Sequence, residues 1–159
     1  MCELLGLPPP PEEECLDLAC RAISWITRRI HAVLPGAVEA IRLLHRQGYA
    51  LYTASGSCSL ELAGSFKGLG VRHCFGRLYG ADLINTFKEG PKYYARLFAD
   101  VGVQPAEALV VDDSADATRW AAQLGARTVL IGSSPHLQTG ATPRLGSLAE
   151  LPAFLRQQR

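Results

Sequence analysis

The chain has 159 residues, 48% of them hydrophobic, and sixteen Lys and Arg against fifteen Asp and Glu leave a formal net charge of +1. That is long enough for one domain with a real core and leaves little room for a second. No stripe of Lys or Arg is broad enough to track a nucleic-acid backbone, and no apolar run approaches the ~18 residues that cross a bilayer, so neither nucleic acid nor a membrane is an expected partner.

Five cysteines, Cys2, Cys15, Cys20, Cys58 and Cys74, are irregularly spaced, with no Cys-x-x-Cys pair and no nearby His set at zinc spacing. They read as free thiols in a reducing compartment. Acidic Glu12, Glu13 and Glu14 stand where a signal peptide would be basic. The expected location is the cytoplasm.

Residues 1–11 contain four consecutive prolines, Pro8 to Pro11, which cannot supply the amide donors of a helix or central strand. An extended leader is expected there. From Glu12 to Val33, apolar Leu16, Ala19, Ile23, Ile26 and Ile30 recur at spacings of three and four, which predicts an amphipathic helix over 12–33. Leu34-Pro35-Gly36 breaks the pattern, and Ala37, Val38, Ile41 and Leu44 resume it up to Gly48, a helix C-cap. Tyr49 to Thr53 is then a short β-favouring run that ends in the small polar loop Ala54-Ser55-Gly56-Ser57.

The same grammar repeats down the chain. A helix is expected over Ser59–Leu69, a weak strand over Arg77–Tyr79, and a helix over Pro91–Val101 with Tyr94, Leu97 and Phe98 on one side. A buried strand follows over Ala108–Val111, then a helix over Ala115–Leu124, a second buried strand over Thr128–Ile131 and a closing helix within 147–159. Strands alternating with helices of this length predict an α/β fold, a Rossmann-like parallel sheet flanked by helices over 34–159.

In such a sheet ligands bind beyond the carboxyl ends of the strands. One strand ends at Ser55, beside Gly56, whose small size lets backbone amides approach an anion. Another ends at Asp112 and Asp113, with Asp116 inside the first turn of the next helix, and Lys88 lies between the two strands just ahead of a helix that opens on Pro91. Carboxylates hold a hard cation through oxygen, a lysine offsets phosphate charge, and a hydroxyl with loop amides donates to phosphate oxygens, so the set suits phosphate with Mg²⁺. Each residue alone has a plainer role: an aspartate that caps the next helix, a solvated lysine, a turn serine. Three carboxylates in five residues exceed what one cap uses, and they repel one another unless a cation is present.

The order Ser55, Lys88, Asp112-Asp113 resembles the second, third and fourth motifs of the haloacid dehalogenase-like hydrolases, a superfamily dominated by phosphatases. LPGAVEAIRLLHRQGYALYTASG is similar to the family's Pro-Gly helix and second-motif strand, and KEGPKYYARLFADVGVQPAEALVVDDSADATRWAAQLGARTVLI to the stretch from the third-motif lysine to the strand after the acidic motif. The resemblance implies that Ser55 and Gly56 bind the transferring phosphate, that Lys88 is catalytic, stabilising its charge, and that Asp112 with Asp113 or Asp116 holds Mg²⁺. It also implies a small phosphorylated substrate.

One departure stands beside these matches. The family attacks phosphorus with the first aspartate of an Asp-x-Asp-x-Thr motif at the end of the first, central strand, and that motif occurs nowhere in these residues. The resemblance therefore implies a core lacking its usual first central strand and inactive alone, with the helix over 12–33 as the remnant of a cap domain. Four outcomes then stay open for the gap: the residues are a fragment of a longer protein, a partner strand from a separate polypeptide fills it, self-association with a second copy fills it, or the two remaining strands close up. The alternative is a noncatalytic binding or interaction module that keeps the anion and metal pocket. A phospho-accepting receiver domain also joins acids, a hydroxyl and a lysine, but it places the acidic pair first, and here that pair comes last.

Overall fold

The computed structural model describes residues 6, 8, 10–132 and 142–158. Most of the leader expected over 1–11 lies outside them. Helix α1 spans Glu12–Thr27, with Glu12, Glu13 and Glu14 in its first turn, where negative charge complements the helix dipole. The expected continuation to Val33 does not form. The Thr27 hydroxyl donates to the Ile23 carbonyl at 2.8 Å, and the last turn tightens as the Arg29 amide donates to Ile26 O at 2.9 Å. Beyond it, residues 30–34 run exposed and without helix. Gly64 and Gly68 on helix α3 (Ser59–Gly68) let α1 approach closely, because a methyl group at either position would overlap the Thr27 hydroxyl or the Arg28 carbonyl.

Helix α2 (Ala37–Arg46) follows, then α3, α4 (Pro91–Val101), α5 (Ala115–Gln123) and α6 (Leu151–Gln157). The strands are β1 (Leu109–Asp112), β2 (Arg127–Ile131) and a short β3 (Arg144–Leu145). They form a parallel sheet in the order β1-β2-β3, with Asp112 opposite Leu130 and Ile131 opposite Leu145. The connection through α5 is the strand–helix–strand unit read from the sequence, and its boundaries agree to within a residue.

The two expected strands over Tyr49–Thr53 and Arg77–Tyr79 are the main correction. They run side by side but make a single parallel bridge, Leu51 to Phe75, supported by the Gly76 amide to Leu51 O at 2.9 Å and the Ser55 amide to Tyr79 O at 3.2 Å. A ladder needs successive paired residues, and this pair has bonds only at its two ends. Among the described residues, β1 has a strand on its β2 side only and Leu51 bridges only to Phe75, so the sheet has no first central strand.

Side-chain alternation along β1 divides the core into two layers. Val110 joins Tyr79, Tyr93, Tyr94, Leu97, Phe98, Ala117 and Ala121 on the face covered by α4 and α5. Leu109 and Val111 pack with Leu51 against Leu44, Leu151 and Leu155 on the face covered by α2 and α6. Helices on both faces leave the carboxyl ends of the strands as the open edge.

Candidate active site

Asp112 is the last residue of β1, and its side chain is 7% exposed. Its Oδ2 accepts from Lys88 Nζ at 2.5 Å and from the Tyr94 hydroxyl at 3.4 Å, while its Oδ1 accepts from the Ser114 amide at 2.9 Å. Lys88 is itself only 17% exposed, so the pair is an ion pair withdrawn from water. Such a pair is held in place because loss of either partner strands the other charge. The helix-capping role that an aspartate here might have taken falls to Ser114, whose hydroxyl accepts from the Ala117 amide at 3.3 Å. Asp112 is therefore not spent as a cap.

The other two carboxylates differ from it. Asp113 is exposed and has no hydrogen-bond or ion-pair partner among the described residues. Asp116 sits in the first turn of α5, 58% exposed, and pairs with Arg119 at 2.6 Å. The structure thus brings Lys88 onto Asp112, leaves Asp113 next to it at the strand end, and gives Asp116 a partner of its own.

Ser55 ends the other strand segment. Its Oγ accepts from the Ser57 amide at 3.1 Å, which leaves its hydroxyl proton free to donate outward. Its carbonyl accepts from the Tyr93 hydroxyl at 3.0 Å. Gly56 is exposed, and neither its backbone nor its neighbours demand glycine: its φ is not positive, and an added Cβ would meet nothing within 4 Å. Gly90, with an extended φ of 174°, also has open space around it. These two glycines, one in each loop at the sheet's open edge, border space rather than protein.

Lys88 is aimed by the loop that carries it. Arg96 Nη1 donates to Ile84 O at 3.1 Å, Asn85 O at 2.7 Å and Thr86 Oγ1 at 2.5 Å, and so holds residues 84–86 against α4. Asn85 takes a left-handed φ of 46°, which asparagine tolerates better than most side chains. Asp82, in the same loop, accepts from the Ser59 amide at 2.8 Å and the Ser59 hydroxyl at 2.5 Å. Burial pushes its pKa up, but these bonds outweigh it and hold the carboxyl below its ordinary range.

The sequence placed Tyr94 on the apolar side of its helix but gave no site role to Tyr93, Tyr94 or Arg96. Tyr93 and Tyr94 are both 0% exposed. Burial, opposed by the bond to Ser55 and reinforced by the charges of Asp112 and Asp82, pushes Tyr93 up to about 12. Burial first, and then the Asp112 charge, push Tyr94 far above the phenol range. Both hydroxyls stay protonated and act as donors. A cavity of about 400 Å³ opens instead at the amino end of these segments, lined by His45, Tyr49, Tyr52, His73 and Cys74. It has neither carboxylate nor lysine, whereas the Lys88–Asp112 pair lies at the opposite, carboxyl edge.

A parallel sheet covered by helices on both faces, with an ion-paired aspartate and lysine at its carboxyl edge, is a Rossmann-like α/β core. Residues 5–135 match the haloacid dehalogenase-like hydrolase family, and the chain belongs to it. It is similar to hexitol phosphatase B of Escherichia coli strain K12, 27% identical over 150 residues that span 91% of this chain and 67% of that one. It is also 27% identical over 122 residues to the bifunctional riboflavin kinase/FMN phosphatase of Arabidopsis thaliana, covering 74% of this chain and 32% of that protein, about a third of its length. The structure of L-2-haloacid dehalogenase from Xanthobacter autotrophicus with chloropropionic acid covalently bound shares the fold at a TM-score of 0.72 and 19% identity, over 99% of this chain and 71% of that one.

No three His, Cys, Asp or Glu side chains converge among the described residues, and no helix there is long and apolar enough to cross a membrane. Mg²⁺ commonly takes one or two carboxylates and completes its shell with water and substrate phosphate. Asp112 and Asp113, consecutive at the end of β1, offer hard oxygen donors of that kind, Asp113 exposed and Asp112 shared with Lys88.

Proposed function

We propose that this chain carries the phosphate-binding and cation-binding walls of a phosphate-ester hydrolase site. The observation that carries the reading is the withdrawn Lys88–Asp112 pair at the end of β1, at the same sheet edge as the Ser55 loop. In this reading the Ser55 hydroxyl and the Gly56 amide donate to two phosphate oxygens, and Lys88 offsets the charge that remains. Asp112 and Asp113 hold Mg²⁺, which when bound neutralises phosphate oxygens and polarises phosphorus. Asp112 also keeps Lys88 aimed. Phosphatase relatives support a phosphate ester as the substrate class.

Hydrolysis also needs a nucleophile that bonds to phosphorus while the ester oxygen leaves with a proton. These 159 residues contain no Asp-x-Asp-x-Thr. The nucleophilic aspartate then has to arrive on another segment, and the chain as it stands is expected to bind phosphate without turning over an ester. The test is an assay of the purified chain with an aryl phosphate and Mg²⁺, alongside a titration with inorganic phosphate. Phosphate binding that Lys88→Met weakens at least tenfold, with no turnover, supports the proposal. Turnover that Asp112→Asn abolishes would show a nucleophile inside the chain, and phosphate binding indifferent to Lys88 would remove the site altogether. A second reading, a noncatalytic binding module, is favoured by the same missing motif. It separates from the first if adding a polypeptide that bears the aspartate strand restores no activity.

A further inference from the structure

The anion wall and the cation wall lie on two different segments, and no strand among the described residues pairs with both. Sheet hydrogen bonds therefore do not set the distance between Ser55 and Asp112. Helix α4 touches both. Tyr93 donates to the Ser55 carbonyl at 3.0 Å, and Tyr94, the next residue, donates to Asp112 Oδ2 at 3.4 Å.

Neighbouring helical residues point about 100° apart, so two consecutive tyrosines naturally reach in two directions. Their rings meet edge to face, with centroids 5.2 Å apart and planes at 82°, and both are packed among Leu97, Phe98, Val110 and Ala117. Rings buried this completely have little room to reorient. Phenylalanine would fill the same volume, whereas a buried hydroxyl is unfavourable unless it finds a partner. Each hydroxyl here has spent that need on a strand end that carries site chemistry.

We infer that Tyr93 and Tyr94 are positioning residues, a clamp by which one helix holds the phosphate-binding loop and the Asp112 carboxylate in register without a strand between them. The clamp gains its purpose from the proposed function but is a claim about this chain's own geometry. Lys88 and the loop tethered by Arg96 lead directly into α4, so the same helix also delivers the cation partner of Asp112. The Lys88 bond to Asp112 is 2.5 Å and the Ser114 amide bond 2.9 Å, so these two are the stronger holds and the Tyr94 hydroxyl, at 3.4 Å, adds a weaker third contact that ties the carboxylate to α4.

Tyr93→Phe and Tyr94→Phe test the clamp in the full chain. The expected result is crossed: the Ser55 carbonyl ¹³C shift moves in Tyr93→Phe, the Asp112 carboxyl ¹³C shift moves in Tyr94→Phe, and neither moves in the other variant. In the unsubstituted chain both tyrosine hydroxyl protons should exchange slowly enough to be seen, a measurement that requires no variant to fold. With inorganic phosphate and Mg²⁺, each should tighten binding of the other about fivefold or more in the unsubstituted chain, and the double variant should lose that coupling while keeping either ligand alone. Shifts that do not move, or that move together as general loosening would make them, overturn the clamp. An unsubstituted chain that binds no phosphate overturns the proposed function instead, and the carbon shifts still decide the clamp.

Discussion

Helices α1 and α4 carry the same kind of apolar stripe and are treated oppositely by the fold. α4 buries Tyr93, Tyr94, Leu97 and Phe98, and α1, the longer of the two, buries nothing. Leu16, Trp25 and Ile26 of α1 remain 60%, 60% and 51% exposed. Amphipathic periodicity states that a helix has a face to hide and leaves open what hides it. For α4 the answer is a parallel sheet and α5. For α1 it is a glycine-lined strip of α3 that meets one edge of the helix only.

The largest effect that separates the two helices should come from the core of α4. Phe98 is 4% exposed and contacts Tyr94 with ring centroids 6.2 Å apart. Phe98→Ala is expected to lower stability by about 3–5 kcal/mol, the usual loss for emptying a buried aromatic position. Urea denaturation followed by circular dichroism measures it. A loss under about 1 kcal/mol would mean that α4 is as loosely held as α1, and the contrast would collapse.

Alkaline pH sharpens the same contrast, because the buried phenols cluster on and against α4. Tyr79 donates to Asp100 Oδ2, on α4, at 2.6 Å, and burial, with the bond to Asp100 and its charge, pushes its pKa up to about 12. Tyr93 is likewise pushed up to about 12. The ordinary phenol value is 10.0, so the folded state holds these protons more tightly than the unfolded one. Their contribution to stability is complete below about pH 10 and fades as pH rises towards about 12. Tyrosinate absorbance during a pH titration should show a late-ionising set, with unfolding as it ionises. If all the tyrosines instead titrate together near 10, the phenols on α4 are not buried as described.

Much of this was legible in the sequence, for a physical reason. The unit β1-α5-β2 is encoded by local signals: a continuous apolar run, alanines at helical spacing, then Gly125. Asp112 stood out because a strand that ends in carboxylates departs from the apolar pattern. Tyr93 and Tyr94 did not stand out, since aromatic residues on a helix look like core and their hydroxyl partners lie 38 and 18 residues away. The segments at 49–53 and 77–79 read as strands because their composition favours β structure, but a ladder also needs successive residues paired with a neighbouring strand, and composition carries no information about that. Likewise the apolar residues beyond Thr27 continue the helical period on paper, while nothing packs on them to repay the ordering.

The smallest expected effect lies on α1. Leu16 is 60% exposed on a helix with no buried residue, so Leu16→Ala removes side chain that is mostly in water already. Alanine is also the best helix former, which offsets the little contact that is lost. The unfolding midpoint should therefore stay within about 0.5 kcal/mol of the unsubstituted chain, the ordinary range for surface changes. Repeating the measurement across a range of protein concentrations makes it decisive. A loss above about 1 kcal/mol that grows with concentration would mean that a second copy covers this face in solution. α1 would then be a buried helix like α4, with its other wall supplied from outside the chain.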